Sequence, residues 1–132
     1  MIEIEQLKQD EGFSELSYLC TAGYLTIGYG FNIDAGMSKA QAEAILEVTC
    51  RERIDVLKVS LSWFSVAPEE VRSVLLNMAY QLGIAGLMKF KLTLGYLEQR
   101  QYDKAAKEML DSQWARQTPE RATRLSERIG KL

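Results

Sequence analysis

Three side chains in the N-terminal part of the chain have types and spacing suited to proton transfer, namely Glu11, Cys20 and Thr26. A carboxyl group can donate a proton, a thiol can act as a base or nucleophile, and a hydroxyl can hold water. A single glutamate is more often a solvated surface group, so the hypothesis depends on the three together. Glu11 follows a predicted helix and the other two lie on predicted strands, which we expect to bring all three to one cleft wall. Arg121 and Arg124 are basic candidates for the same cleft.

The sequence of 132 residues contains no histidine, and this narrows the possible chemistry. A Ser-His-Asp triad, a Cys-His pair and a histidine-ligated zinc are all excluded. Cys20 and Cys50 are too few for a four-cysteine metal site. Proton transfer must therefore use Asp, Glu, Cys, Tyr or Lys, which favours carboxylate chemistry.

Length and charge are those of an ordinary globular protein. The 16 basic and 18 acidic side chains give a net charge of −2, which argues against a nucleic-acid partner. The N-terminal segment lacks the basic and apolar regions of a signal peptide, and no apolar run is long enough to span a membrane. We therefore expect a cytoplasmic location, no stable membrane association, and free thiols rather than a disulfide.

Short elements are predicted to position the three N-terminal side chains. Residues 3–10 have the apolar spacing of one or two helical turns. Alternation over 16–20 and the β-branched and aromatic residues of 24–28 predict a hairpin with its turn at 21–23. A loop without helical period follows, and it contains Gly28, Gly30 and Gly36.

A long helix is predicted over 38–57, because Ser38 and Gln41 form a capping box at its start. A helix of that length would measure about 28 Å and could connect two lobes. Its apolar residues recur at helical spacing, and they are Ala42, Ile45, Leu46, Cys50, Ile54 and Leu57.

Residues 60–67 are predicted to be a connection that carries Trp63 and Phe64, and most of the chain after it shows helical patterns. Pro68 and Gly83 predict the ends of a buried central helix, and shorter helices follow it. Trp114 is placed in a short break, and Thr118 and Pro119 are predicted to open the last helix. The predicted fold class is α+β, predominantly α, with a small N-terminal hairpin lobe, a long connecting helix and a helical C-terminal lobe.

Several short motifs occur in a fixed order along the chain. The N-terminal motifs, with gaps of eight and five residues between the three site positions, are Asp10-Glu11-Gly12, Cys20 and Thr26-Ile27-Gly28-Tyr29-Gly30. The later motifs are Asn77-Met78-Ala79-Tyr80-Gln81-Leu82-Gly83, Asp103-Lys104-Ala105-Ala106, Ser112-Gln113-Trp114 and Gln117-Thr118-Pro119-Glu120-Arg121-Ala122. In this order the motifs resemble the phage lysozymes of the T4 type, and the resemblance implies a single lysozyme-like domain over 1–132. Its implied lobes are a hairpin lobe at 12–37, a connecting helix at 38–57, and a helical lobe at 60–132 plus 1–11.

The resemblance implies an enzyme that cleaves the β-1,4 bond between N-acetylmuramic acid and N-acetylglucosamine in peptidoglycan, without a cofactor. It implies Glu11 as general acid, Cys20 at the position of the family's aspartate, and Thr26 as the residue that helps place the attacking water. Arg121 matches the arginine that pairs with the catalytic glutamate; that pair would lower the pKa of Glu11, whereas burial would raise it. The substrate-binding or supporting residues would be Gly30, Phe31, Asn32, Gln81 and Gln117.

The same resemblance implies a phage or prophage endolysin that acts as a monomer. Such a protein accumulates in the host cytoplasm until lysis and then reaches the periplasm and cell wall. It depends on a holin-like pore for that passage.

Cys20 is the main departure from the family pattern. A thiol ordinarily titrates near ~8.5, so only a small fraction is charged at neutral pH. Its thiolate could serve as a base, an electrostatic stabiliser or a nucleophile. Nucleophilic attack would give retention, unlike the inversion associated with the family. Phe31 also stands where the family often has histidine, and the segment between Asn32 and Ser38 is short.

Two other functions remain open at this point. A wall-binding or lysis-regulating protein with weak or no catalysis is favoured by Cys20, and it would bind saccharide without cleaving it. A helical interaction domain without a cleft would use Trp63 and Trp114 only as core residues and would bind no saccharide.

Overall fold

The structure is a computed structural model that describes residues 3–132. These residues divide into two compact units, one that ends at Ile45 and one that spans Leu46–Leu132. They contain seven α-helices and one three-stranded sheet, so the predicted α+β, predominantly α class is confirmed. Residues 1 and 2, which the predicted domain includes, lie outside the described residues. The lobe boundaries at 12–37, 38–57 and 60–132 stay predictions.

The first unit contains a short helix and an antiparallel sheet of order β1-β2-β3. Its elements are α1 (Ile4–Glu11), β1 (Ser14–Leu19), β2 (Leu25–Gly28) and β3 (Phe31–Asn32). The helix and the hairpin are confirmed, and the turn at 21–23 joins the strands as expected. β3 was not predicted, because two residues are too few to produce an alternating pattern.

The strand register places two of the predicted site positions, Thr26 and Asn32, opposite each other in the sheet. Tyr18 pairs with Thr26 across β1 and β2, and Thr26 pairs with Asn32 across β2 and β3. In the hairpin turn, the Gly23 N–H donates to the Cys20 carbonyl at 2.9 Å. Gly23 has a φ of +86°, which residues other than glycine rarely adopt.

The long helix α2 spans Lys39–Ser60, three residues beyond its predicted end. Its capping box is confirmed, since the Gln41 N–H donates to Ser38 Oγ at 3.1 Å and the Ser38 N–H donates to Gln41 Oε1 at 2.8 Å. The predicted apolar face is only partly correct. Leu57 is fully buried, whereas Ile45 is 50% exposed. Helical periodicity thus shows which residues share a face, but packing partners decide which part of that face is buried.

The second unit is helical. After a 3₁₀ turn at Phe64–Val66, its helices are α3 (Glu69–Met88), α4 (Lys91–Glu98), α5 (Tyr102–Leu110), α6 (Gln113–Gln117) and α7 (Pro119–Gly130). Gly83 has φ 76° and ψ 164° and breaks α3, which confirms the predicted stop although helical residues resume after it. Trp114 lies in α6 rather than in a break. Thr118 does not cap α7 through its side chain, because its Oγ1 donates to the Trp114 carbonyl at 2.9 Å.

The hydrophobic core lies in the second unit. Its largest fully buried apolar side chains are Leu57, Val71, Val74, Leu75, Met78, Leu87, Met109 and Ile129. Trp114 is buried and Trp63 packs against the core, so both tryptophans have structural contacts. Among residues 3–45, Thr26 is the single buried side chain. Within 3–132, no helix has the length and apolar character needed to cross a membrane.

Candidate active site

Glu11 is held next to a backbone turn of the sheet. It is the last residue of α1, and the Gly12 N–H closes the helix by donating to the Lys8 carbonyl at 2.9 Å. Its carboxylate approaches Gly30, which has a φ of +70° in the turn between β2 and β3. A Cβ atom at position 30 would overlap the Glu11 carboxylate oxygen Oε2. Gly30 therefore leaves the space that the exposed Glu11 carboxylate occupies.

Cys20 and Thr26 are joined through the backbone of Tyr24. The Tyr24 carbonyl accepts from the Cys20 N–H at 2.9 Å and from Thr26 Oγ1 at 2.9 Å. The Tyr24 N–H in turn donates to Cys20 Sγ at 3.4 Å. The hairpin therefore brings the predicted pair together, although Cys20 lies one residue beyond the end of β1 rather than on the strand.

These contacts favour the charged form of Cys20. The N–H of Tyr24 is the main cause that lowers the pKa of the Cys20 thiol below its ordinary value. Burial opposes this shift, while the amides of Ala22 and Gly23 and the Thr26 hydroxyl support it. Because a thiolate is stabilised by donors directed at sulfur, the turn increases the fraction of Cys20 available as a base.

Thr26 has a single hydroxyl proton with two possible acceptors. The structure directs it to the Tyr24 carbonyl, and the Cys20 sulfur is the second acceptor. The Thr26 side chain is only 4% exposed, which restricts its rotation. When the proton points to either acceptor, the hydroxyl oxygen keeps its lone pairs to accept from a water.

Phe31 and Asn32 form β3 beside this pair. Phe31 pairs with Ile27 and is half-buried. Asn32 Oδ1 accepts from the Ala35 N–H at 3.2 Å, which gives this residue a turn-forming role within the sheet unit. Tyr24 was not predicted from the sequence, because its contacts with Cys20 and Thr26 use backbone atoms, which are the same in almost every residue type.

The other predicted site residues lie in the second unit. Arg121 donates from Nε and Nη2 to Asn77 Oδ1 at 2.9 and 2.6 Å, and this fork fixes its guanidinium to α3. Gln81 Oε1 accepts from Trp114 Nε1 at 2.9 Å, so its amide satisfies a buried indole. The pairing of Arg121 with Glu11 stays a prediction.

A cavity of about 470 Å³ lies within the second unit, and Gln117 is one of its lining residues. Gln117 is exposed at the end of α6, and Arg124 is exposed on α7. Across residues 3–132, no group of three or more histidine, cysteine, aspartate or glutamate side chains is placed to hold a metal ion.

Comparison with known proteins shows the family of the chain. The model of the family described as phage lysozyme matches residues 8–129. The chain belongs to the phage lysozyme family. As a lysozyme it is a glycosidase, of the type that hydrolyses peptidoglycan.

Individual relatives cover most of this lysozyme. Probable T4-type lysozyme 1 of Dictyostelium discoideum is 29% identical over 154 residues, which covers 92% of this chain and 89% of the relative. Probable T4-type lysozyme 2 of the same organism is 28% identical over 151 residues, with the same coverage. The pre-baseplate central spike protein Gp5 of Enterobacteria phage T4 is 29% identical over 152 residues, which is 92% of this chain but 26% of Gp5.

Proposed function

We propose that this lysozyme is a phage or prophage endolysin that cleaves the β-1,4 bond between N-acetylmuramic acid and N-acetylglucosamine. Glu11 is the general acid, Cys20 takes the place of the usual aspartate, and Thr26 positions the attacking water. The observation that carries the proposal is the grouping of Cys20 and Thr26 around Tyr24, in the same unit as Glu11.

The proposed reaction needs a proton donor and a base on opposite faces of the sugar. Glu11 gives its proton to the glycosidic oxygen as the bond to the anomeric carbon breaks. The Cys20 thiolate takes a proton from a water held by the Thr26 hydroxyl, and the oxygen of that water attacks the anomeric carbon. The lowered pKa of the Cys20 thiol supports this role, because the base must be unprotonated when water attacks.

The test is the release of reducing ends from purified peptidoglycan by the native chain and single variants. We expect Glu11→Gln and Cys20→Ser each to lose at least about 100-fold in rate, since general acid and base catalysis contribute roughly that much. Glu15→Gln is the matched control, because Glu15 is an exposed glutamate on β1 of the same unit.

The outcomes separate the possible roles of Cys20. Loss in Glu11→Gln alone would make Cys20 a spectator, with water placed by Thr26. Inversion at the anomeric carbon supports the base role, whereas a retained configuration would assign Cys20 as the nucleophile. Saccharide binding without any cleavage would replace the enzyme proposal with a wall-binding or lysis-regulating protein.

We also propose that the protein acts as a monomer that stays in the host cytoplasm until a holin-like pore opens a path to the wall. Expression with and without a co-expressed holin tests this passage. We expect lysis only with the holin or after chemical permeabilisation of the membrane. Lysis by the protein alone would contradict the proposed dependence.

A further inference from the structure

The short strand β3 leaves one backbone group of β2 without its usual strand partner. The ladder continues one residue beyond β3, where the Ile33 N–H donates to the Leu25 carbonyl at 2.8 Å. In a continued antiparallel ladder, the Leu25 N–H would donate to the Ile33 carbonyl in return. That carbonyl instead accepts from the Gly36 N–H at 3.0 Å, because the chain turns away.

The Asp34 side chain takes the place of the missing strand carbonyl. The Leu25 N–H donates to Asp34 Oδ2 at 2.8 Å, a bond to an ionisable acceptor with the length of a strong charge-assisted one. The adjacent turn directs Asp34 back toward β2, because Asn32 Oδ1 accepts from the Ala35 N–H. Asp34 thus completes the edge of a sheet whose third strand is only two residues long.

Leu25, whose N–H is bound by Asp34, lies in the chain between Tyr24 and Thr26. Leu25 follows Tyr24, whose backbone binds both the Cys20 sulfur and the Thr26 hydroxyl, and it precedes Thr26 itself. A shift of the Leu25 amide therefore moves both members of the pair. Few apolar contacts resist such a shift, since no apolar side chain in residues 3–45 is buried.

We propose that Asp34 is a positioning residue of the active site. Its carboxylate fixes the backbone of β2 so that Tyr24 can orient the Cys20 sulfur and Thr26 hydroxyl. This inference rests on the proposed function for its effect on rate, but the hydrogen bond and its effect on Cys20 are measurable without catalysis.

The test compares two neutral variants, Asp34→Ala and Asp34→Asn. Both remove the charge, whereas only Asn keeps an oxygen that can accept from the Leu25 N–H. We expect kcat of Asp34→Ala to fall between about 10- and 100-fold, as small misplacements of catalytic groups do, with KM within about twofold of native. Asp34→Asn recovers most of kcat, and Glu15→Ala, a loss of an exposed carboxylate from β1, leaves it unchanged.

Two activity-independent measurements are made on the same variants. In ¹⁵N-labelled protein, we expect the Leu25 amide proton to shift upfield and exchange faster in Asp34→Ala than in Asp34→Asn. In a Cys50→Ala background, iodoacetamide alkylates Cys20 several-fold more slowly in Asp34→Ala than in Asp34→Asn, because the donors at sulfur are less well placed.

The outcomes keep the two proposals apart. Equal alkylation rates and equal kcat in the Ala and Asn variants would overturn the positioning role of Asp34. A native protein that cleaves no peptidoglycan would overturn the proposed function, while a difference in Cys20 alkylation between the variants would still support Asp34 as the residue that positions it.

Discussion

At the scale of single residues, the space at Gly30 is the tightest constraint on the candidate site. An alanine there would place its methyl group on the Glu11 carboxylate, and its φ of +70° would also strain an alanine backbone by about 1–2 kcal/mol. We expect Gly30→Ala to lose at least about 100-fold in peptidoglycan cleavage, because the carboxylate must move. The measurement is release of reducing ends, together with urea unfolding.

A comparison of Gly28→Ala with Gly30→Ala separates the effect of backbone strain from the effect of contact with Glu11. Gly28 has a φ of +67°, yet nothing lies within 4 Å of a Cβ at that position. The two variants should therefore lose similar stability, while Gly28→Ala keeps most of its activity. If both variants lost activity equally, strain in the turn rather than contact with Glu11 would be the cause.

The thiol of Cys20 has its own expected pH dependence. Because the Tyr24 N–H lowers the pKa of this thiol, alkylation of Cys20 should reach half of its maximal rate at a lower pH in the folded chain than in urea. The folded pKa is the lower one, so this group contributes stability above the unfolded pKa and loses it as pH falls through the folded pKa. The measurement is the iodoacetamide rate against pH, resolved by peptide mass.

The urea-unfolded chain is the reference for the same cysteine, because unfolding removes the donors of the turn. Thr26→Val, which loses a hydroxyl at nearly constant volume, should move the folded profile part of the way toward that reference. Coincident profiles for folded and unfolded Cys20 would contradict the stabilisation of the thiolate.

At the scale of elements, the sequence predicted those features that local chemistry determines. The Ser38–Gln41 capping box, the glycine break at Gly83 and the 21–23 turn all correspond to observed hydrogen bonds or dihedral angles. The end of α2 and the helix around Trp114 were predicted incorrectly, because packing with other elements determines such boundaries. β3 is only two residues long, and the Asp34 side chain that continues its edge makes a contact that periodicity does not detect.

The candidate site was predictable to a similar extent. Glu11, Cys20 and Thr26 could be named from type and spacing, and the hairpin explains why Cys20 and Thr26 meet. Asp34 gave no signal, since an aspartate in a glycine-containing loop is typical of turns. Its contact with Leu25 depends on the path of the chain after β3, which only the folded structure specifies.

At the scale of the whole molecule, charge and burial are divided unequally between the two units. Residues 1–45 carry two basic and seven acidic side chains, whereas residues 46–132 carry fourteen basic and eleven acidic ones. The helical unit therefore has a net positive charge within a chain of net charge −2. An anionic surface such as a cell wall attracts the helical unit and repels the sheet unit, and salt weakens both effects.

The unequal burial predicts that the two units differ in local stability. Burial of apolar surface is the dominant favourable term in folding, and every buried apolar side chain described lies between Leu57 and Ile129. We therefore expect amides of β1 and β2 to exchange with solvent at free energies several kcal/mol below those of α3, α5 and α7. Native-state hydrogen exchange by mass spectrometry in increasing urea measures both sets in one experiment.

The variant Met78→Ala tests whether the sheet unit and the helical unit unfold separately. Met78 is fully buried in α3, so its truncation should cost about 2–5 kcal/mol and lower protection throughout the helical unit. If the sheet opens in a separate step of lower free energy, its amides exchange at the native rate in this variant. A parallel fall in both units would show that they unfold together, and the sheet that holds Cys20 and Thr26 would then derive its stability from the helical core.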